Sequence, residues 1–348
     1  MQRETQLAGV VFQRKLGNLD DKRMRVSALA GQLAQVMDCD AQLLLRAARI
    51  AKCDLLTEMV GEFPELQGTM GRYYALNDGE PEAVANALEE QYLPRFAGDA
   101  IPASALGRAL ALAERLDTLA GIFAIGQTPS GEKDPFALRR AALGVLRIMI
   151  EGELPLDMFA LIESAIAEQP VMPPADLAEQ LFDFILERLR AYYHGQGITA
   201  QHFDAVLARR PHAPLDFHKR LQAVVAFTEL PESHSLTAAN KRIRNILRQA
   251  ERVPEAFVEE RLREPAERLL AQQLHKVQDT ATPMFRQQDY TGALTEMASL
   301  RDAVDGFFDE VLVMDENREL RDNRIALLNS LSLLFLRVAD VSRLPSDA

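Results

Sequence analysis

The amino-acid sequence predicts an all-α protein built from two helical domains. Apolar residues recur mainly at the three- and four-residue spacing of a helix, as in Leu177, Leu181, Phe184, Ile185 and Leu189. Stretches that alternate apolar and polar residues, as strands do, are almost absent from the sequence. Most of the 17 prolines fall where the periodic runs break, which marks helix ends. Because 348 residues exceed what one hydrophobic core usually covers, we expect two domains.

The composition is typical of a folded protein in a reducing compartment. Apolar residues make up 48% of the chain and charged residues 26%, which argues against general disorder. Two cysteines are too few for a disulfide framework, so we expect a cytoplasmic protein. The charged N-terminus does not resemble a signal peptide, and the longest apolar runs, 143–150 and 331–336, are too short to span a bilayer. We therefore expect no membrane partner.

The clearest helix of the first domain is predicted from Asp134 to Gly152. Asp134 is the expected N-cap, a proline follows at the first helical position, and a glycine ends the run. The helix is apolar nearly all round, so Arg139 and Arg140 need anionic partners, either carboxylates or phosphates. The glycine-bearing loop 126–134 is a conceivable anion site, but we favour a simple connection because Asp134 would repel an anion.

An acidic segment gives the first candidate site. If residues 40–62 form one helix, Asp54, Glu58 and Glu62 follow each other at four-residue spacing and present three carboxylates on one face. Such a row either binds a cation or is a solvated, ion-paired face. We favour the second interpretation and expect no metal, because the first 193 residues contain no histidine. The sequence contains no phosphate-binding loop or nucleophile elbow, so we predict no catalytic residue.

The C-terminal region contains a predicted basic amphipathic helix. A polar, proline-bearing stretch at 209–216 separates the two regions, and we place the boundary between residues 212 and 213. The net charge of −12 repels nucleic acid on average, so RNA binding must rest on a local basic face. The row of cations on this helix fits a phosphate-binding face and a merely solvated face equally well. The polar side of this helix carries Lys241, Arg242, Arg244, Asn245 and Arg248.

A second polar cluster follows at a predicted turn between two apolar helices. Its members are Arg318, Arg321, Asn323 and Arg324. Such groups can hydrogen-bond splayed RNA bases, or they can pair with the acidic residues of the same turn. Local ion pairing is the stronger expectation for this cluster.

Six segments distributed along the whole chain carry the pattern of a known family. They are VFQRKLGNLDDK from Val11, KCDL from Lys52, EFPELQG from Glu62, DPFALRR from Asp134, FFDEVLVM from Phe307 and VADVSRL from Val338. In this order they resemble the β subunit of bacterial heterotetrameric glycyl-tRNA synthetases, in its C-terminal portion. The resemblance implies an HD-like helical domain with connecting helices over residues 1–212 and a DALR-like anticodon-binding bundle over 213–348.

The HD-like resemblance also bears on the acidic segment. In HD phosphohydrolases the signature is a histidine, a His-Asp pair and a later aspartate, whereas here Cys53 and Asp54 take the place of the pair and Asp117 resembles the last member. We therefore expect a polar network without a metal. Its candidate members are Lys52, Asp54, Glu58, Glu62, Asp117, Arg139 and Arg140. The alternatives are a metal-dependent phosphohydrolase that uses Asp54, Glu58 and Asp117, and a purely structural subunit-assembly module.

The resemblance implies partners as well. The α subunit of the family carries the catalytic core that attaches glycine to tRNA(Gly), so ATP and Mg²⁺ are expected on that partner and no cofactor on this chain. The implied assembly is α2β2, and no DNA partner is expected. This chain would be non-catalytic alone and would recognise tRNA. Every glycine codon begins with two guanines, so the C-terminal domain would read two anticodon cytosines, whose N4 amino group is a hydrogen-bond donor.

Overall fold

A computed structural model describes residues 3–96 and 98–345, and it confirms the all-helical class, with two compact helical units. The first unit comprises Met1–Tyr192 and His212–Leu215, and the second comprises Tyr193–Pro211 and Asp216–Ala348. The stretch from 193 to 211, which the sequence placed in the first domain, thus groups with the second unit. Within the described ranges, no helix is both long and apolar enough to cross a membrane.

The α-helices of the first unit pack around a central helix, α6. In chain order they are α1 (Leu19–Val36), α2 (Ala41–Ile50), α3 (Glu58–Glu62), α4 (Thr69–Asn77), α5 (Glu82–Glu90), α6 (Ala105–Ala124), α7 (Leu138–Glu151), α8 (Met158–Ala167) and α9 (Leu177–His194), whose last residues belong to the second unit. Ser104 caps α6 by accepting a hydrogen bond from the backbone N–H of Gly107 at 2.9 Å. Most of the 20 residues of α6 are buried, and α1, α5, α7 and α8 pack on it.

A short β-hairpin precedes α1, and the sequence analysis did not predict it. Strand β1 (Val11–Gln13) pairs antiparallel with β2 (Gly17–Asn18). Gly17 has a φ of 92°, a conformation that favours glycine, and the Asn18 side chain then caps α1 by accepting from the N–H of Asp21. Strands of two and three residues are too short to show an alternating pattern in the sequence.

Residues 40–62 do not form the single helix on which the row of three carboxylates depends. Helix α2 ends at Ile50, a 3-10 helix follows at Cys53–Leu56, and α3 begins only at Glu58. Thr57 interrupts the run because its backbone is extended and its side chain accepts a hydrogen bond from the N–H of Val60 at 3.3 Å, which starts a new helix. Asp54 therefore lies on a different element from Glu58.

The predicted start of α7 is also displaced. The helix begins at Leu138 rather than directly after Asp134, because Ala137 has a left-handed backbone with a φ of 53°. The Asp134 carboxylate still satisfies the first turn, accepting from the N–H groups of Leu138 at 2.8 Å and Arg139 at 3.0 Å. Asp134 thus supplies the capping hydrogen bonds, but the predicted N-cap position is wrong, because Ala137 occupies it and residues 135–137 form a turn.

The second unit is a bundle in which α12 and α13 pack against α15 and α16. Its helices are α10 (Ala200–Leu207), α11 (Pro214–Thr228), which begins in the first unit, α12 (Ser233–Gln249), α13 (Pro265–Arg286), α14 (Tyr290–Ala298), α15 (Arg301–Glu310) and α16 (Arg318–Leu336). Leu274, Phe307 and Leu331 are fully buried between these helices. The remaining 3-10 helices of the chain are Glu4–Gly9, Pro64–Leu66, Glu259–Arg261 and Val341–Arg343.

Candidate nucleic-acid interface

Asp117 lies at the centre of a buried ionic cluster in the first unit. Its side chain is fully buried on α6 and binds Lys22 Nζ at 2.8 Å and Arg25 Nε at 2.6 Å, both from α1. The amide of Gln169 donates to the same carboxylate at 3.2 Å. Burial acts to raise the pKa of Asp117, but the two cations and their hydrogen bonds outweigh it and lower the pKa below its ordinary value. This aspartate joins helices and has no free oxygen for a metal.

Asp54 has different surroundings. It is buried, and its Oδ2 accepts a hydrogen bond from the backbone N–H of Gly68 at 2.6 Å, while Oδ1 has no hydrogen-bond partner in the structure. Burial raises the pKa of this carboxyl. Asp54 lines a cavity of about 450 Å³. The described residues show no hydrogen bond or ion pair between Asp54 and Asp117, so the two aspartates of the HD-like pattern do not form one site.

The other members of the predicted polar network are dispersed. Glu58 and Glu62 are exposed on α3, so the predicted row of three carboxylates does not form. Arg139 donates to the backbone carbonyl of Gly131 at 2.6 Å, and Arg140 donates to that of Arg95 at 3.3 Å. Neither arginine pairs with Asp54 or Asp117 in the described residues. No group of three or more His, Cys, Asp or Glu side chains within those residues is arranged to hold a metal ion.

Lys52 and Arg140 line the same groove, whose volume is about 700 Å³. Lys52 lies 4.2 Å above the ring of Tyr92 and 3.7 Å from Glu114. Burial acts to raise the pKa of Glu114, but Lys22 and Lys52 outweigh it and hold the pKa well below its ordinary value. The charged lining of the groove is therefore net positive, with four cations, Lys52, Arg95, Arg115 and Arg140, against the two carboxylates Glu65 and Glu114.

In the second unit, α12 presents a basic face to solvent. Its buried side packs Leu236 and Ile243 into the core, which leaves Arg242, Arg244 and Arg248 exposed on the other side. The helix contains four cations and no carboxylate, in a chain whose net charge is −12. The predicted local concentration of positive charge is thus on one face of one helix, where phosphates can reach it.

Neighbouring side chains hold several of these cations in place. Arg244 forms an ion pair of 2.7 Å with Asp340, and Arg248 donates to the side-chain oxygen of Asn245 at 3.1 Å. The guanidinium of Arg242 lies 4.2 Å from the centre of the Phe308 ring. We call the set Lys241, Arg242, Arg244, Asn245 and Arg248 the α12 stripe. Its role in binding RNA stays a prediction.

The predicted base-reading residues lie in the first two turns of α16 rather than in the turn before it, and they fall into two pairs. Arg318 is exposed, 3.8 Å from Asp322, and Arg321 is half-buried and donates to the backbone carbonyl of Asp315 at 3.1 Å. These two arginines are accessible at the surface. The hydrogen bond from the N–H of Asn317 lowers the pKa of Asp315, and Arg324 and Arg321 act in the same direction.

Asn323 and Arg324 are corrected to structural residues. Asn323 is 5% exposed, and its amide exchanges two hydrogen bonds with the backbone of Val258, at 2.7 and 3.1 Å. Arg324 is 4% exposed and pairs with the buried Glu267 and with Asp315. Neither side chain can reach a base, because Asn323 ties a loop to α16 and Arg324 compensates a buried carboxylate. Polar residues in a turn look accessible in a sequence, and only the packing shows otherwise.

One polar cavity, of about 240 Å³, lies between α12 and α16 and was not predicted from the sequence. Arg244 at its edge was predicted, but the inward-facing Asn240, Asn329 and Ser332 were not. A signal was present in the sequence, since Asn240 and Arg244 are four residues apart on one helix. Asn329 also interrupts an otherwise apolar helix face.

Comparison with known families gives two matches along the chain. Residues 1–208 match the family model described as glycyl-tRNA synthetase beta subunit, and residues 236–337 match the DALR anticodon binding domain. The second match begins in α12 and ends one residue after α16. It therefore contains the α12 stripe and the turn before α16.

Curated relatives support the same family. A glycine–tRNA ligase beta subunit of Marinobacter nauticus is 52% identical over 342 residues, which cover 98% of this chain and 49% of the relative. The corresponding proteins of Coxiella burnetii and Ectopseudomonas mendocina are 50% and 51% identical over 97% of this chain, and 50% and 49% of their own lengths are covered. The chain thus spans about half the length of the curated relatives it matches. On these matches, the chain belongs to the glycyl-tRNA synthetase β subunit family.

Proposed function

We propose that this chain is the tRNA-recognition part of a glycine–tRNA ligase β subunit and that its second unit binds the anticodon arm of tRNA(Gly). The observation that carries the proposal is the coincidence of the DALR match with the α12 stripe, the exposed cationic face of an otherwise acidic chain. Phosphate contacts by arginine and lysine supply most of the affinity of a protein for RNA. The stripe then holds the backbone while nearby groups read bases.

We propose that the attachment of glycine to tRNA is catalysed by another subunit and not by this chain. The described residues contain no metal-ligand cluster, and Asp117 is fully engaged with Lys22 and Arg25. We propose that ATP, Mg²⁺ and glycine bind to the α subunit, which assembles with the β subunit as α2β2. The first unit then serves as a helical scaffold and does not hydrolyse phosphate esters.

Affinity for tRNA(Gly), measured at several salt concentrations, tests the role of the α12 stripe. We expect Arg248→Gln and Arg242→Gln each to weaken binding and to reduce the slope of log affinity against log salt by about 1, as the loss of one phosphate contact does. Arg286→Gln is the matched control, because Arg286 is an exposed arginine of the same unit at the end of α13 and is not a member of the α12 stripe. Equal salt slopes for all three variants and the wild type would remove the α12 stripe from the interface.

The choice of base is tested separately. Wild-type chain is titrated with tRNA(Gly) and with tRNAs in which either anticodon cytosine is replaced. We expect each replacement to weaken binding about 5- to 100-fold, the usual cost of one misread base. Indistinguishable affinities would show that the unit does not read the anticodon.

A further inference from the structure

The cavity between α12 and α16 has the size and lining of a site for one small planar group. Its volume of about 240 Å³ lies just below the range of roughly 300–1,000 Å³ that is typical of drug-sized ligands. Leu247, Phe335 and Leu336 supply apolar walls. A single nucleobase fits such a cavity better than a whole nucleotide, because its faces are apolar and only its edge needs polar partners.

The polar part of the wall contains groups that are not used by the fold. Asn329 and Ser332 are half-buried on the inner side of α16 and line the cavity. Within the described residues, neither side chain has a hydrogen-bond partner. The neighbouring Asn240 differs, because its amide nitrogen donates to the backbone carbonyl of Leu236 at 2.9 Å. An amide and a hydroxyl that face a cavity without partners are hydrogen-bonding groups available to a ligand.

A cation is fixed at the edge of the same cavity. Arg244 donates from Nη1 to Asp340 at 2.7 Å and to the Ser342 hydroxyl at 3.1 Å, yet its side chain remains 54% exposed. Arg343, 3.0 Å from Asp340, adds a second positive charge beside it. The edge of the cavity is therefore suited to the phosphate or the carbonyl oxygen of a bound nucleotide, and it adjoins the α12 stripe.

From this arrangement we infer that the cavity binds one unstacked anticodon base and that the base is a cytosine. The inference rests on the proposed function and adds the position of one reading site to it. The edge of cytosine offers one donor, the N4 amino group, and two acceptors, N3 and O2. The Asn329 amide supplies an oxygen for N4 and an N–H for N3, and Ser332 or Arg244 donates to O2. The apolar walls pack against the faces of the ring.

Binding of the 348-residue chain to a stem-loop RNA with the anticodon arm of tRNA(Gly) tests the inference. Fluorescence anisotropy at one fixed salt concentration gives the affinities of the wild type, Asn329→Ala and Ser332→Ala. We expect each variant to bind about 5- to 30-fold more weakly, the usual cost of losing a specific contact to a base edge. The same affinities are then measured on stem-loops in which one anticodon cytosine is changed to uracil. When the changed cytosine is the one that occupies the cavity, the wild type and the variants should bind that stem-loop with the same affinity.

A matched control is available on the same helix. Ser330 is also half-buried on α16, but its hydroxyl donates to the backbone carbonyl of Ala326 at 3.0 Å and does not line the cavity. Ser330→Ala should change the affinity for the stem-loop by no more than about twofold. Thermal unfolding of each variant confirms that the chain is folded. If Asn329→Ala proves unstable, Ser332→Ala still tests the cavity, because it removes only one oxygen atom.

The outcomes separate this inference from the proposed function. If the wild type prefers the cytosine loops and both folded variants keep its affinity, the cavity is not the reading site, although the unit still reads the anticodon. A loss that is equal on every loop would also refute base reading by the cavity. If the wild type itself shows no preference for cytosine, the proposed function fails and the inference fails with it.

Discussion

Replacing Arg324 tests directly whether this residue belongs to the fold or to the RNA interface. Arg324→Met keeps the length and apolar stem of the side chain but removes the guanidinium that pairs with Glu267. Glu267 is 1% exposed and stays behind as a buried carboxylate. The guanidinium also donates to the carbonyl of Leu312 and to Asp315, both at 2.8 Å, so the variant leaves several polar groups of the turn unsatisfied.

The magnitude follows from the burial of the pair. Breaking a buried ion pair by removing one partner usually costs roughly 3–5 kcal/mol, because the remaining charge loses both water and its counter-ion. The side chains of Arg324 and Glu267 are only 5% and 1% exposed, so solvent screening reduces this cost little. We therefore expect Arg324→Met to lower the free energy of unfolding of the second unit by about 3–5 kcal/mol.

Urea unfolding followed by far-ultraviolet circular dichroism measures this loss. Adding Glu267→Gln to Arg324→Met should recover part of it, because the glutamine carries no charge and its oxygen can still accept from the N–H of Glu264, as Glu267 does at 2.9 Å. Arg321→Met is the matched control from the preceding turn of α16. Its guanidinium donates to one backbone carbonyl, so a loss of about 1 kcal/mol or less is expected.

The opposite pattern would refute this reasoning. If Arg324→Met unfolds at the same urea concentration as the wild type but binds tRNA(Gly) more weakly, the guanidinium is an RNA contact and its pairing with Glu267 contributes no net stability. Failure of the second substitution to restore any stability would show that the stranded carboxylate is not the cause of the loss.

Two further predictions contrast the aspartates of the first unit by urea unfolding at several pH values. Asp117→Asn should cost about 3–5 kcal/mol at pH 7, because, among the described residues, it removes the only carboxylate partner of the buried Arg25 and leaves Lys22 with Glu114 alone, at 3.4 Å. Pairing lowers the pKa of Asp117, so the stability that this carboxylate contributes is present above its ordinary pKa of 3.8 and is lost as the pH falls through the lowered pKa. The difference in free energy of unfolding between Asp117→Asn and the wild type should therefore narrow in acid. Asp54→Asn should be at least as stable as the wild type at pH 7. The pKa of Asp54 is raised in the folded chain, so ionisation of this carboxyl above its ordinary pKa of 3.8 disfavours folding. The asparagine removes that charge, and its side-chain oxygen can still accept the hydrogen bond from the backbone N–H of Gly68. A destabilised Asp54→Asn, or an Asp117→Asn loss that is constant with pH, would contradict these assignments.

The fold class was predictable because the helices of this chain are amphipathic and their ends are punctuated by proline, glycine and capping residues. The α12 stripe was predictable for the same reason, since residues 241, 244 and 248 follow the helical repeat. The break between α2 and α3 was not, because Thr57 fits a helical pattern as well as a cap. A capping threonine and a helical threonine look alike until the backbone around them is known.

The candidate site was predicted in composition but only partly in geometry. Arg318 and Arg324 have the same chemistry and both lie near the start of α16, yet one is exposed and the other is buried against Glu267, which is 57 residues away in the chain. Asp117 likewise finds its partners on α1, more than 90 residues earlier. Sequence spacing reveals neighbours within a helix, but long-range pairing of this kind depends on how the helices pack. The cavity at Asn329 was missed for the same reason, because two separate helices form it.

A footprint of tRNA(Gly) in the presence of the 348-residue chain shows which part of the tRNA the chain binds. We expect protection from nuclease or chemical cleavage in the anticodon loop, including both cytosines, and loss of that protection when the α12 stripe carries Arg242→Gln and Arg248→Gln together. Protection confined to other parts of the tRNA, or anticodon protection that survives this double variant, would contradict anticodon binding by the exposed face of α12.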